Sequence, residues 1–174
     1  AAPLMALREG FSPAAVGVLL ALFALSQVFL ALPAGRFTDR HGLRRPIRVA
    51  VVTAVLGALP SAIWPIYPVL CLTALSCGAA AGLALIALQR HVGRLAQGAT
   101  ELKQVFSWMA VAPSISNFLG PLVAGLVIDA AGFRAAFLLL SLVPLLALLG
   151  LQGVTELPRV VAQPGQKKGS SWDL

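Results

Sequence analysis

Apolar residues run along this chain in long blocks, with neither the strict alternation of a half-buried strand nor the narrow stripe of a helix lying on a soluble core. Five blocks stand out, at 13–34, 47–66, 68–89, 105–128 and 133–154, and charge enters them only at Arg48 and Arg134, each one residue in from a block's start. About 20 residues are what a helix rising ~1.5 Å per residue needs to cross ~30 Å of hydrocarbon. The pattern therefore predicts five membrane-crossing helices. Ser12 is placed to cap the first and Pro13 to occupy its first helical position, where a missing N–H costs nothing. Between the second and third, Trp64-Pro65-Ile66-Tyr67-Pro68 predicts a tight turn with aromatic side chains at a membrane interface.

Composition removes the alternatives to a membrane. Of the 174 residues 59% are apolar and 11% charged, too few polar groups to cover a water-soluble domain. The net charge of +7 does not point to nucleic acid, because the basic residues stand at the ends of apolar blocks and form no stripe interleaved with aromatics. The lipid bilayer is the expected partner and nucleic acid is not.

The same basic residues predict orientation. Five arginines fall in 36–48, three basic residues in 90–103 and three in the tail after Val154, against Arg8 and Arg134 alone at the other ends of the blocks. Positive charge accumulates on the cytoplasmic side, so residues 155–174 are expected to form a cytoplasmic tail or linker and the N-terminus to lie outside. Ala1 to Leu7 reads as the end of an earlier helix, and residues 1–154 as a transmembrane bundle of which this chain is an incomplete half.

The charge of the first half is concentrated in Gly35-Arg36-Phe37-Thr38-Asp39-Arg40-His41-Gly42-Leu43-Arg44-Arg45. This run resembles the signature between the second and third helices of the major facilitator superfamily of transporters: Gly, three variable residues, Asp, a basic residue, one variable, Gly, then two basic residues. Gly35, Asp39, Arg40, Gly42 and Arg44 match; Leu43 stands where a basic residue is usual, and Arg45 keeps the local charge high. The resemblance implies an all-α transmembrane bundle of major facilitator type, comprising five complete helices and the end of a preceding one. It implies a secondary transporter that moves a small solute by alternating access, completed by a carboxy-terminal half and seated in the plasma (inner) membrane. It also implies that Asp39, Arg40 and Arg44 act as a latch that holds the two halves together on the cytoplasmic side and releases when the carrier opens inward, with Gly35 and Gly42 allowing a tight helix-to-loop geometry.

Further along, Gly120-Pro121 and Gly125 are similar to the fifth-helix motif of the family's antiporters, which implies a helix bend and close approach to a neighbour and favours export of a drug or metabolite. Physically, Pro121 leaves the carbonyl of Asn117 without its helical donor. Asp129-Ala130-Ala131-Gly132-Phe133-Arg134 resembles the turn into the sixth helix. Ala74 stands where many proton-coupled relatives carry an arginine, while Gly78 and Gly82 form a small-residue packing face.

Chemistry beyond this is sparse. No acid lies within the apolar blocks, so no proton relay is visible. Gln27, Ser114, Ser116 and Asn117 could line a substrate cavity or bond to neighbouring helices. Cys71 and Cys77 are six apart, roughly 240° around a helix, and cannot pair with each other. His41 and His91 are expected alone in loops. No metal site, cofactor or catalytic constellation is expected, and the reading is not an enzyme. The rival reading is a non-transporting helical membrane protein or assembly partner.

Overall fold

The computed structural model describes residues 2–95 and 99–153 of the chain, and among them all regular structure is α-helical. Helix α1 (Ala2–Arg8) is short and leaves through Gly10, whose φ of 78° lies in the left-handed region that glycine adopts without strain. Helix α2 (Pro13–His41) starts where Ser12 Oγ accepts a hydrogen bond from the Ala15 amide at 3.3 Å. Its 29 residues span roughly 44 Å, more than the hydrocarbon thickness, so its charged last turns extend beyond the apolar block 13–34. Helix α3 (Arg44–Ile63) follows after two residues, and helix α4 (Tyr67–Leu95) after the turn at Trp64.

Helix α5 (Ala99–Gln152) contains two arms broken at Gly132, where φ 80° and ψ 176° depart from helical geometry. The arms, 99–131 and 133–152, face each other across an apolar groove of about 390 Å³ lined by Ile115, Leu119 and Val123 on one side and Ala136, Leu140 and Val143 on the other. They contain the blocks 105–128 and most of 133–154. Among the described residues four helices are long and apolar enough to cross a membrane, the last covering Lys103–Leu151 and long enough at roughly 74 Å to do so twice. The tail 155–174 lies outside the described residues.

Most contacts join α2 to α4, α3 to α4, and α3 to α5. The α2–α4 and α3–α4 seams carry small residues, as expected where lipid, being as apolar as leucine, leaves close packing to drive association. A β-carbon added at Gly57 would collide with Ser76, and one at Gly78 with the Phe23 carbonyl and Ser26 Oγ. Gly82 lies against the side-chain stem of Gln27, whose Cγ would be 3.3 Å from such an atom. The Gly78–Gly82 face expected from sequence is thus the α2–α4 contact. A cluster of Met5, Ala6, Leu19, Ala62, Leu70, Ala74 and Phe137 ties all five helices together, and Leu43, Ala87 and Leu151 form a second, smaller one.

Large apolar side chains point outward instead: Phe29, Leu32 and Phe118 are each about three-quarters exposed (75%, 76% and 74%). Water would not support such a surface; lipid does.

Candidate functional site

Helices α2, α3 and α4 alternate in direction, so His41, Arg44 and Arg90 gather at one end of the bundle and Phe11, Trp64 and Tyr67 at the other. The second end is closed by the tilted stacking of Phe11 on Tyr67, with centroids 5.1 Å apart, by the Tyr67 hydroxyl donating to the Ala15 carbonyl at 2.9 Å, and by an Arg8–Asp129 ion pair at 3.7 Å. Arg8 also lies over the Phe133 ring, 5.5 Å from its centroid. The first end is strongly basic.

At that basic end the signature run is largely not a loop. Gly35 through His41 complete α2, because none of Arg36, Phe37, Thr38, Asp39 or Arg40 breaks a helix; the chain leaves at Gly42, whose φ is 73° and whose amide donates to the Thr38 carbonyl at 2.9 Å. Gly42 supplies the tight exit that the sequence predicts. Gly35, inside the helix, has a different task.

Asp39 is one turn beyond Gly35 on the same face of α2. Arg90 of α4 crosses that bare face: its Nη2 is 2.8 Å from where a Gly35 β-carbon would stand, and its Nη1 donates to Asp39 Oδ1 in a salt bridge. The pair is partly open to solvent, with side-chain exposures of 45% for Arg90 and 59% for Asp39. Thr38, buried beside it, turns its hydroxyl back to the Ala34 carbonyl at 2.8 Å.

His41, expected in a loop, is the last residue of α2, and His91, also expected in a loop, lies within α4. A carbonyl can only accept, so the 3.0 Å contact of His41 Nδ1 with the Phe37 carbonyl puts the proton on Nδ1. The two rings stack at 4.5 Å.

Leu43, the departure from the family pattern, is only 5% exposed and packs on Ala87 and Leu151 with Ile47 beside it. An apolar side chain suits that position because it plugs the basic end between α4 and the second arm of α5. Arg36, Arg40 and Arg45 are exposed, and Arg44 is half-buried at the start of α3.

Among the described residues the remaining polar side chains lie apart. Gln27 packs at the α2–α4 seam, whereas Ser114, Ser116 and Asn117 are exposed on the first arm of α5, with Ser114 Oγ donating to the Ala110 carbonyl at 3.1 Å. The cavities between α2, α3 and α4, and the groove between the arms of α5, are lined by none of Gln27, Ser114 or Asn117. A β-carbon at Gly120 or Gly125 would meet nothing within 4 Å, and Gly120 lines the groove that separates the two arms of α5. Pro121 sits inside the helical arm.

Two contributors escaped the sequence reading. Arg90 directly follows the block 68–89, and was read only as topological charge; the four-residue spacing of Gly35 and Asp39, which leaves a cleft beside a carboxylate, was the available signal. The buried Ser61–Thr73 pair was the other. Thr73 Oγ1 lies 2.6 Å from both the Gly57 carbonyl and Ser61 Oγ. Its single proton goes to the carbonyl, so Ser61 donates to Thr73. This bond chain fixes α3 to α4.

A bundle of long apolar helices with small-residue seams, one strongly basic end and an interhelical ion pair there defines a polytopic integral membrane protein. The family model described as Major Facilitator Superfamily matches residues 1–174, and the chain belongs to that superfamily of transmembrane transporters. Neither the curated proteins nor the solved structures gave a match.

Proposed function

We propose that the chain is the amino-terminal bundle of a secondary carrier that moves a small solute by alternating access, with its basic end in the cytoplasm of a cell bounded by the plasma (inner) membrane. The supporting observation is the Asp39–Arg90 salt bridge seated on Gly35, inside the family's signature. A purely structural ion pair does not require that combination, and the positive-inside rule does not require an acid at all.

The mechanism follows from how the carboxylate is held. Arg90 engages Oδ1 of a side chain that is still 59% exposed, so Asp39 is fixed in position yet reachable from outside the bundle. A carboxy-terminal half arriving at this end presents a helix N-terminus or a cation, and the fixed carboxylate can accept hydrogen bonds from it. Contact closes the cytoplasmic side; separation opens it. Arg40 and Arg44 take acceptors from the same partner. Exposed ion pairs are individually weak, about 0–1 kcal/mol, and that suits a contact which must form and break in every cycle.

The solute is a small molecule, and export of an amphiphilic drug or metabolite is the class favoured by Gly120-Pro121 and Gly125. The test is flux: cells expressing the reading frame that contains this chain are assayed for efflux of a panel of amphiphilic cations, anions and neutral compounds. Asp39→Asn is expected to reduce efflux of the transported compound at least tenfold with surface expression unchanged. Full activity in Asp39→Asn contradicts the latch, and a frame that alters no compound's distribution favours the rival, a non-transporting membrane assembly partner.

A further inference from the structure

Helices α2 and α3 each pack on α4 and hardly on each other, which leaves a crevice between them with α4 as its floor. Two cavities of about 290 and 500 Å³ occupy it, continuous through their shared Leu30, Thr53 and Ala79. The floor is low because α4 contributes Ser76, Ala79 and Ala80 there, while α2 raises a wall of Leu22, Leu25, Phe29 and Leu30. Leu25, Phe29, Leu30 and, across the gap, Val49 are exposed, so the crevice opens onto the apolar outer surface of the bundle. Phe37, stacked on His41, marks its basic end.

Its depth in the membrane follows from the apolar blocks. Leu22 is near the middle of block 13–34 and Leu75 and Ser76 are near the middle of 68–89, whereas Val49 and Thr53 stand in the basic-side half of 47–66. From the middle, all three helices line the crevice only toward the basic end. Leu22 to Ala34 covers roughly 18 Å of α2, against ~15 Å for half of the hydrocarbon core. The crevice therefore runs the depth of one leaflet, the basic-side one, from its interface to the bilayer centre.

The lining decides what can lie there. No charged side chain belongs to either cavity, and the Ser26 hydroxyl is turned to the Phe23 carbonyl at 2.8 Å, so a charged solute would lose its water without compensation. A helix about 11 Å across would need roughly 1,700 Å³ over 18 Å of its length, about twice what the two cavities hold. A hydrocarbon chain is thinner, and the bilayer supplies it along the whole open side at a concentration that fills even a weak site by mass action. We propose that one acyl chain of a phospholipid in the basic-side leaflet occupies this crevice, its end near Leu22 and Leu75 and its first carbons between Phe37 and Val49. Seated there, the chain holds α2 and α3 apart and belongs to the packing of the bundle. The inference needs only membrane embedding and is independent of the transport reading.

The test is photolabelling of the full reading frame in phosphatidylcholine vesicles doped with a phosphatidylcholine that carries a diazirine near the end of one acyl chain, with the adducts mapped by mass spectrometry. Labelling at Leu22, Leu25 and Leu75 is expected to exceed several-fold that at Leu32 and Leu56, exposed apolar positions on the same walls but outside the crevice. A diazirine close to the headgroup should move the label to Pro33, Phe37 and Val49. Ala79→Leu raises the floor and Val49→Phe narrows the open side; each should lower the crevice labelling several-fold and leave Leu32 unchanged, and two independent positions with an unchanged reference separate filling from unfolding. Crevice labelling no higher than at Leu32, or unaffected by both substitutions, overturns the proposal and leaves only the bulk lipid that surrounds any membrane protein. So does protection of the crevice from lipid together with disulfide capture of Leu30→Cys by another protein segment, which would mean that a helix covers it.

Discussion

Arg90 of α4 reaches Asp39 of α2 by lying across Gly35, one helical turn before the carboxylate it binds. The glycine makes the ion pair possible by omitting a side chain, and the ion pair gives the glycine a reason to be there. Sequence and packing meet in these three residues, and the clearest predictions start from them.

Because both side chains are close to half exposed, neutralising either should change stability little. Asp39→Asn and Arg90→Gln are each expected to cost under about 1 kcal/mol, and a double-mutant cycle on thermal unfolding in detergent should give a coupling energy of similar size. A coupling of several kcal/mol would mean that the pair is a structural staple and not a releasable contact.

Glycines in the helices should separate into two classes. Gly78→Ala drives a methyl group into the Phe23 carbonyl of a neighbouring helix and Gly57→Ala drives one into Ser76, so each is expected to destabilise by about 1–3 kcal/mol. Gly120→Ala and Gly125→Ala meet nothing within 4 Å and should be neutral or slightly stabilising in this chain. Thermal unfolding of the four variants checks the order. A large loss at Gly125 would show an approach that these contacts do not contain.

The bond chain from Ser61 through Thr73 to the Gly57 carbonyl is directional, so its members should be unequal. Thr73→Val leaves the buried Ser61 hydroxyl without its acceptor and removes the second hydrogen bond of the Gly57 carbonyl, which keeps its helical donor, and is expected to cost about 1–2 kcal/mol. Ser61→Ala leaves the Thr73 donation to Gly57 intact and should cost about half as much. Equal costs would mean that the Thr73 donation to the carbonyl contributes little.

How much of this was legible beforehand differs from residue to residue. The helix starts at Ser12-Pro13 and the break at Gly132 were, because a cap, a proline and a glycine act locally. The end of α2 was not: the apolar block stops at Ala34, but charge alone does not terminate a helix, and the chain continues to His41 before Gly42 turns it. The Arg90 partner of Asp39 was hidden because it lies 51 residues away, a separation on which local pattern is silent. Leu43 looked like a defect in a basic motif until its burial against Ala87 and Leu151 showed it to be packing. At Gly120 and Gly125 a β-carbon would meet nothing within 4 Å, and the pattern alone does not give the width of the groove that Gly120 lines.

The central claim is that the basic end opens and closes with Asp39 as part of the closure. The most direct measurement is the rate at which a membrane-impermeant maleimide, applied from the cytoplasmic side, labels Arg40→Cys in the full reading frame with Cys71 and Cys77 replaced by Ser. The account predicts that Asp39→Asn raises this rate several-fold by shifting the population toward the inward-open form, and that the transported solute alters it in the wild type. A rate that neither Asp39→Asn nor solute changes, in a protein that still transports, would contradict it.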